Sequence, residues 1–268
     1  FIANDFARLQ MHVDEKDGEV SIRDITQDFA CLALWGPKAR AVLEKITSDD
    51  VSNAAHPYLT TRLIHINGAK VFAQRVSYAG ELGWELYIPN HHATMVWDML
   101  IEAGREFGLE VGGYKVLDSL RLEKGYRYFT ADITPMETPY ESGLGFCVHL
   151  DKGDGSTGSP QVFIGREALV KQKAEGIKRK LCTLVLTDGD DFTQIYGGEA
   201  VYHEGKVLTR VRSGGYGFTL KKNILYAYLP TELAKQGNRF IIDLIEGRRE
   251  AEVTASVLFD PKGERARV

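Results

Sequence analysis

The chain has 268 residues, 44% hydrophobic and 26% charged, which suits a folded globular protein of one large domain or two ordinary ones. Acidic residues outnumber basic ones, 37 to 33, for a formal charge of −4, so the basic excess of a nucleic-acid binder is absent. No apolar run approaches the roughly 18 residues of a membrane span. Neither nucleic acid nor a membrane is therefore expected as a partner.

In chain order, the opening "FIANDF" reads as the middle of a strand or loop. It begins with Phe1 and no basic-then-apolar leader, and a segment upstream of it is expected. "WGPKARAVLEKIT" predicts a helix, with Pro37 tolerated in its first turn and Ala41, Val42 and Ile46 on one face. Strand-like runs follow: "TRLIHING", "AKVFAQRVSY" and "GWELYIP". "HATMVWDMLIEAGREFG" predicts a second helix on Val96, Met99, Leu100 and Ala103, stopped by Gly108. "YKVLDSLRLEKG" predicts a third, with Val116, Leu117 and Leu120 inward. A polar Gly/Ser-rich loop from Asp151 to Gln161 precedes a short helix in "FIGREALVKQKAEG". This first, α+β block spans residues 1–175. Residues 176–268 read as all-β, with turns at "HEGK" and "IEGR", and suggest a small barrel or sandwich.

Local chemistry is sparse. Cys31, Cys147 and Cys182 each lie in an apolar run, as buried free thiols do, and show no metal or disulfide spacing. A reducing compartment, the cytoplasm or mitochondrial matrix, fits that usage. His91 and His92 are adjacent and cannot share a metal on a helix, so no metal site is expected. No G-x-G-x-x-G fingerprint, P-loop or G-x-S-x-G elbow is present.

Two stretches carry more. "RVSYAGELGWELYIP" combines Tyr78, Glu81, Glu85 and Tyr87 with two glycines that permit sharp turns or close approach. It reads either as a β-hairpin turning at Ala79–Gly83 with a solvated acid at its tip, or as a ligand site. In "DSLRLEKGYRYFTADITPMETPYESGLGF", Asp118 and Arg121 stand three apart and can pair on one helix face. The plain reading of that pair is a structural salt bridge.

At these stretches the chain resembles the aminomethyltransferase (glycine cleavage T-protein) family. "RVSYAGELGWE" matches its R-x-G-Y-x-G-E-x-G-aromatic-E pattern at most places, its R-D-x-L-R-L-E-x-G appears here as "LDSLRLEKG", and its P-x-E-A-G-L-G as "PYESGLGF". "ALWGPKARAVLEKIT", "FIGREAL" and "LFDPKGERARV" are similar to further family segments. The likeness is strongest to the C-terminal folate module of dimethylglycine and sarcosine dehydrogenases and oxidases, through "YAGELGWELY", "GGYKVLDSLRLEKGYRYFTADITP" and "SGGYGFTLKKNILYAYLP". Val116-Leu117-Asp118 stands where a free-standing T-protein more often has Ala-Arg-Asp.

The resemblance implies an α+β fold: a folate-binding region, incomplete at its N-terminus, and then a small β-barrel domain. It implies tetrahydrofolate as cofactor, a one-carbon donor as second small molecule, and covalent fusion behind a flavin domain, with FAD held there and not in this chain. Glu85 matches the family's pterin-binding glutamate. A carboxylate there can accept a pterin's ring N–H and exocyclic amine together. Arg121 and Tyr78 match folate-site residues, and Tyr126 and Arg265 (or Arg267) are weaker matches. Arg121 is expected either to orient Glu85 or to touch the ligand. The family's catalytic aspartate has no counterpart, Asp5 not being one, so no catalytic acid or base is assigned. A free-standing T-protein, a folate-dependent demethylase and a non-catalytic folate-binding module remain alternatives.

Overall fold

The computed structural model describes residues 2–14, 18–151 and 163–268, so the expected Gly/Ser-rich loop, Asp151 excepted, lies outside the described residues. The chain forms two compact units. One comprises Phe1–Ser77, Glu81–Val111 and Glu264–Val268, and the other Tyr78–Gly80 and Gly112–Gly263. Compactness thus groups the helices between residues 112 and 175 with the barrel.

The first unit opens with α1 (Ile2–Met11), which corrects the expected strand or loop. Ile2, Phe6 and Leu9 recur at helical spacing, a pattern that runs past the six residues of "FIANDF". A four-stranded antiparallel sheet follows: β1 (Phe29–Trp35), β2 (Thr61–Ile66), β3 (Ala69–Gln74) and β4 (Gly83–Pro89), in spatial order β1-β4-β3-β2. Asn67–Gly68, both with positive φ, make the tight turn between β2 and β3. Period-2 alternation sends Leu34, Ile64, Ile66, Val71, Trp84, Leu86 and Ile88 to one face. There they pack with Val42 and Leu43 of α2 (Ala39–Glu44) and Val96 and Leu100 of α3 (Ala93–Gly104). Each such side chain contributes about 1.5–3 kcal/mol by leaving water. Gly108, at φ 73, stops the segment after α3 as its sequence predicts. Phe29, Cys31, Leu63, Phe72, Glu85 and Tyr87 point to the opposite face, on which Leu63 and Phe72 are exposed.

In the second unit, α4 (Tyr114–Glu123) and α5 (Arg166–Glu175) precede six strands: β5 (Arg179–Leu186), β6 (Ala200–His203), β7 (Lys206–Gly217), β8 (Lys222–Pro230), β9 (Arg239–Leu244) and β10 (Gly247–Val253). They close into a barrel of order β10-β5-β8-β7-β6-β9, sealed by the β9–β10 pair, which leaves no open edge. Leu184, Leu225, Ala227, Leu229, Phe240 and Ile242 fill the barrel core. Leu122 of α4 joins Leu181, Ile224, Tyr226 and Tyr228 in a separate cluster.

Two expectations need correcting. Val116 is exposed, and α4 instead buries Arg121, Leu122 and Glu123 in its last turn. The reason is polar: the Glu123 carboxylate accepts the Thr219 and Leu220 amides, at 2.7 and 2.9 Å. Of the cysteines, only Cys182 is buried; Cys31 and Cys147 are exposed. Cys31 belongs to a strand that is apolar on both faces, so its neighbours do not reveal which way it points.

Candidate functional site

In the second unit, Gly125 turns the chain sharply after α4 with φ 74, where an added Cβ would overlap the Ser256 carbonyl oxygen. That turn brings Tyr126 back, its amide bonding to the Arg121 carbonyl at 2.9 Å. The Tyr126 ring stacks on Tyr78, centroids 5.7 Å apart and planes 13° off parallel. The Tyr78 hydroxyl donates to the Arg127 carbonyl at 2.6 Å. Burial pushes that hydroxyl's pKa up to about 12, against the opposing pull of Arg121, so it stays a neutral donor.

Arg121, 2% exposed, is the centre of this group. Its guanidinium donates to Asp118 at 3.1 Å, to the Tyr126 carbonyl at 3.3 Å and to Asp132 at 2.5 Å. The expected Asp118–Arg121 pair is therefore present, but Asp132 is the buried partner. Asp132 has no exposure, and it also accepts from the Ser213 hydroxyl and, at 2.8 Å, the Tyr128 amide. Its backbone carbonyl accepts the Tyr228 hydroxyl at 3.1 Å. Burial works against the charge on Arg121, but Asp132, Tyr226 and Asp118 together outweigh it and raise the guanidinium's pKa above its ordinary value. Sequence reading missed Asp132, which lies eleven residues from Arg121 in an irregular segment where no spacing rule applies.

In the first unit, Glu85 is a strand residue of β4, not the acid of the hairpin tip. β3 and β4 do form the hairpin, and Gln74 and Ala33 flank Glu85 on the neighbouring strands. The tip acid is Glu81, and it pairs with Arg265 at 2.6 Å instead of standing in solvent. Glu85 Oε2 accepts the hydroxyl of Tyr87 at 3.0 Å. Burial raises the Tyr87 pKa well above its ordinary value, and the hydrogen bond to Glu85 raises it further. Cys31 is exposed as a residue but its thiol is partly desolvated, and this and then the Glu85 charge raise the thiol's pKa, against a hydrogen bond to Tyr87.

The five sequence-predicted residues thus fall into two sets. Tyr78, Arg121 and Tyr126 meet in the second unit. Glu85 and Arg265 belong to the first, where one contacts Tyr87 and the other Glu81. The backbone of Arg267, the alternative to Arg265, accepts from Asn53 at 3.1 Å. Chemically, Glu85 offers an acceptor pair on a partly open sheet face, while Arg121 is a charge already matched by buried carboxylate. Among the described residues no three His, Cys, Asp or Glu side chains are grouped to hold a metal ion.

The family model described as the GCVT N-terminal domain matches residues 1–152, and that of the glycine cleavage T-protein C-terminal barrel domain matches residues 179–260. Mitochondrial dimethylglycine dehydrogenase of Mus musculus is 36% identical over 93% of this chain and 28% of its own length. Mitochondrial sarcosine dehydrogenase of Homo sapiens is 35% identical over 84% of this chain and 24% of its own. An aminomethyltransferase of Caldanaerobacter subterraneus is 36% identical over 82% of this chain and 56% of its own. The chain spans about a quarter of the length of the two dehydrogenases. A solved aminomethyltransferase T of the glycine cleavage system from Bartonella henselae shares the fold, with a TM-score of 0.77, 24% identity, and coverage of 96% of this chain and 66% of that one. With both family models matched in order along its length, this chain belongs to the glycine cleavage T-protein family.

Proposed function

We propose that this chain is a reduced-folate-binding module for one-carbon transfer, working within a flavin-dependent N-methyl amine dehydrogenase of the dimethylglycine or sarcosine type. The observation that carries the reading is Glu85, an acid on a partly open sheet face, its carboxylate already braced by Tyr87. Such a carboxylate fits the two parallel donors of a pterin edge. In the second unit Tyr78 and Tyr126 offer stacked aromatic surface beside the braced cation Arg121, and in the first Arg265 adds a cation; each is proposed as a folate contact. When bound, tetrahydrofolate supplies the nitrogen that takes up the one-carbon unit. The residues named here bind and orient it, and positioning supplies rate by holding the reacting atoms together.

The amine-dehydrogenase setting is preferred to a free-standing T-protein because of Val116-Leu117-Asp118 and because the chain matches a quarter of each dehydrogenase, as one module of a longer protein would. FAD belongs to an upstream domain in that reading. The folate region is proposed as residues 1–175 and the barrel domain as 176–268, in the cytoplasm or mitochondrial matrix, with a folate and a one-carbon donor as small-molecule partners. No helix among the described residues is long and apolar enough to cross a membrane.

Calorimetric titration with a stable reduced folate tests the proposal. A lost pair of charge-assisted hydrogen bonds is worth about 1.5–3 kcal/mol per bond, so Glu85→Ala should weaken binding by at least about tenfold. Unchanged affinity would remove the basis of the folate reading. The one-carbon product distinguishes the settings: methylene-folate supports amine oxidation, and methyl-folate supports a demethylase.

A further inference from the structure

We infer that Tyr87 is the positioning residue of the proposed pterin site, fixing the Glu85 carboxylate for its ligand; the inference rests on the reading of Glu85 as the pterin acceptor. The two residues point to the same sheet face because they are two apart on β4. The Tyr87 hydroxyl donates to Glu85 Oε2 at 3.0 Å. The Tyr87 ring is fixed in turn by its neighbours, opposite Cys31 of β1 and Phe72 of β3. Phe72 also meets Phe29, with ring centroids 6.0 Å apart. A glutamate on a half-open face would otherwise sample several rotamers, each lost on binding. A hydroxyl held by a packed ring removes that freedom beforehand. It takes one lone pair of Oε2 and leaves the remaining acceptor sites of the carboxylate for ligand N–H groups. Of the cross-strand neighbours of Glu85, Ala33 has no side-chain donor and Gln74 carries no charge, and the side-chain hydrogen bond that the acid accepts within the sheet comes from Tyr87.

The test is a double-mutant cycle on the intact protein, with 5-formyltetrahydrofolate as the titrated probe. Tyr87→Phe keeps the ring and its packing, and a thermal melt checks that the fold is retained. One hydrogen bond of positioning corresponds to a loss of about 3- to 10-fold in affinity for this variant. Glu85→Ala should cost more. In the Glu85→Ala background, Tyr87→Phe should then cost less than about twofold, because the group it orients is gone. A purely structural role for the hydroxyl would cost the same in both backgrounds, and that result overturns the inference. So does wild-type affinity in Tyr87→Phe while Glu85→Ala weakens binding, an outcome that leaves the folate reading intact. Full affinity in Glu85→Ala removes the folate reading, and this inference with it.

Discussion

Removing the carboxylate of Asp132 would leave the Arg121 guanidinium, 2% exposed, without its buried counter-charge. Asp118 remains, but its own side chain is 60% exposed and screened by water. Asp132→Ala is therefore expected to cost about 3–5 kcal/mol in denaturant unfolding, far more than Asp118→Ala, which should stay within about 1 kcal/mol. Equal costs would mean that the burial argument is wrong. His56 makes a second residue-scale case. It has no exposure, its Nδ1 accepts Trp84 Nε1–H at 3.3 Å, and its Nε2 lies 3.3 Å from the Thr60 carbonyl. That network assigns the proton to Nε2 in a neutral ring. Burial lowers the pKa, and Arg62 and Arg75 lower it further, against the Thr60 carbonyl. With the folded value depressed, the unfolded chain binds the proton first. Stability is then full above the ordinary histidine value of about 6.5 and declines as pH falls from there toward the folded value. The melting midpoint of the first unit should thus drop between about pH 7.5 and 5.5. His56→Asn should be less stable at the higher pH and flatter across the window; an equally steep variant would exclude His56 as the source.

At the scale of elements, the sheet depends on Gly83. Its φ of 159 begins β4, and an added Cβ would overlap the Leu34 carbonyl oxygen of β1. That carbonyl is backbone inside a paired strand and has nowhere to move, since Leu34 pairs with Trp84 and Trp35 with Gly83. Gly83→Ala is expected to destabilise by about 2–4 kcal/mol, read by urea titration, and Gly68→Ala, strained in φ but without a clash, by less. Strands of this kind were legible in the sequence because alternation is a local signal, although the Asn67–Gly68 turn was read as part of the run "TRLIHING". The barrel was legible for the same reason, through its short strands and the Glu204–Gly205 turn. The elements misread were those whose neighbours decide their faces. Val116 has the helical spacing of a core residue, yet α4 is anchored by Arg121 and Glu123. Glu85 was singled out by a motif, whereas Asp132 and Tyr87 stand out by contacts: Asp132 meets Arg121 across an irregular loop, and the Tyr87 hydroxyl donates to Glu85.

For the whole chain, the last five residues matter out of proportion to their number. Glu264–Val268 belongs to the first unit although residues 112–263 form the second. The Val268 carbonyl accepts from Arg75 at 2.6 Å and from Arg40 at 2.9 Å; Asn53 holds the Arg267 carbonyl, and Arg265 holds Glu81. Ala266 is 3% exposed between these anchors. Arg75 is itself buried, 1% exposed, and its other bond runs to the His56 carbonyl at 2.7 Å. Taking the segment away strips a buried cation of a partner, which is the costly direction of such a change. The molecule supplies its own reporter, since its three tryptophans, Trp35, Trp84 and Trp97, all lie in the first unit. Deleting residues 264–268 should lower the stability read by tryptophan fluorescence by about 2–4 kcal/mol. Arg75→Met in the intact chain should reproduce part of that loss, and adding the deletion to it should cost less than the deletion alone, because the two changes share one interaction. Full additivity would show that the segment stabilises the unit through Arg40, Asn53, Glu81 and the packing of Ala266 and not through Arg75.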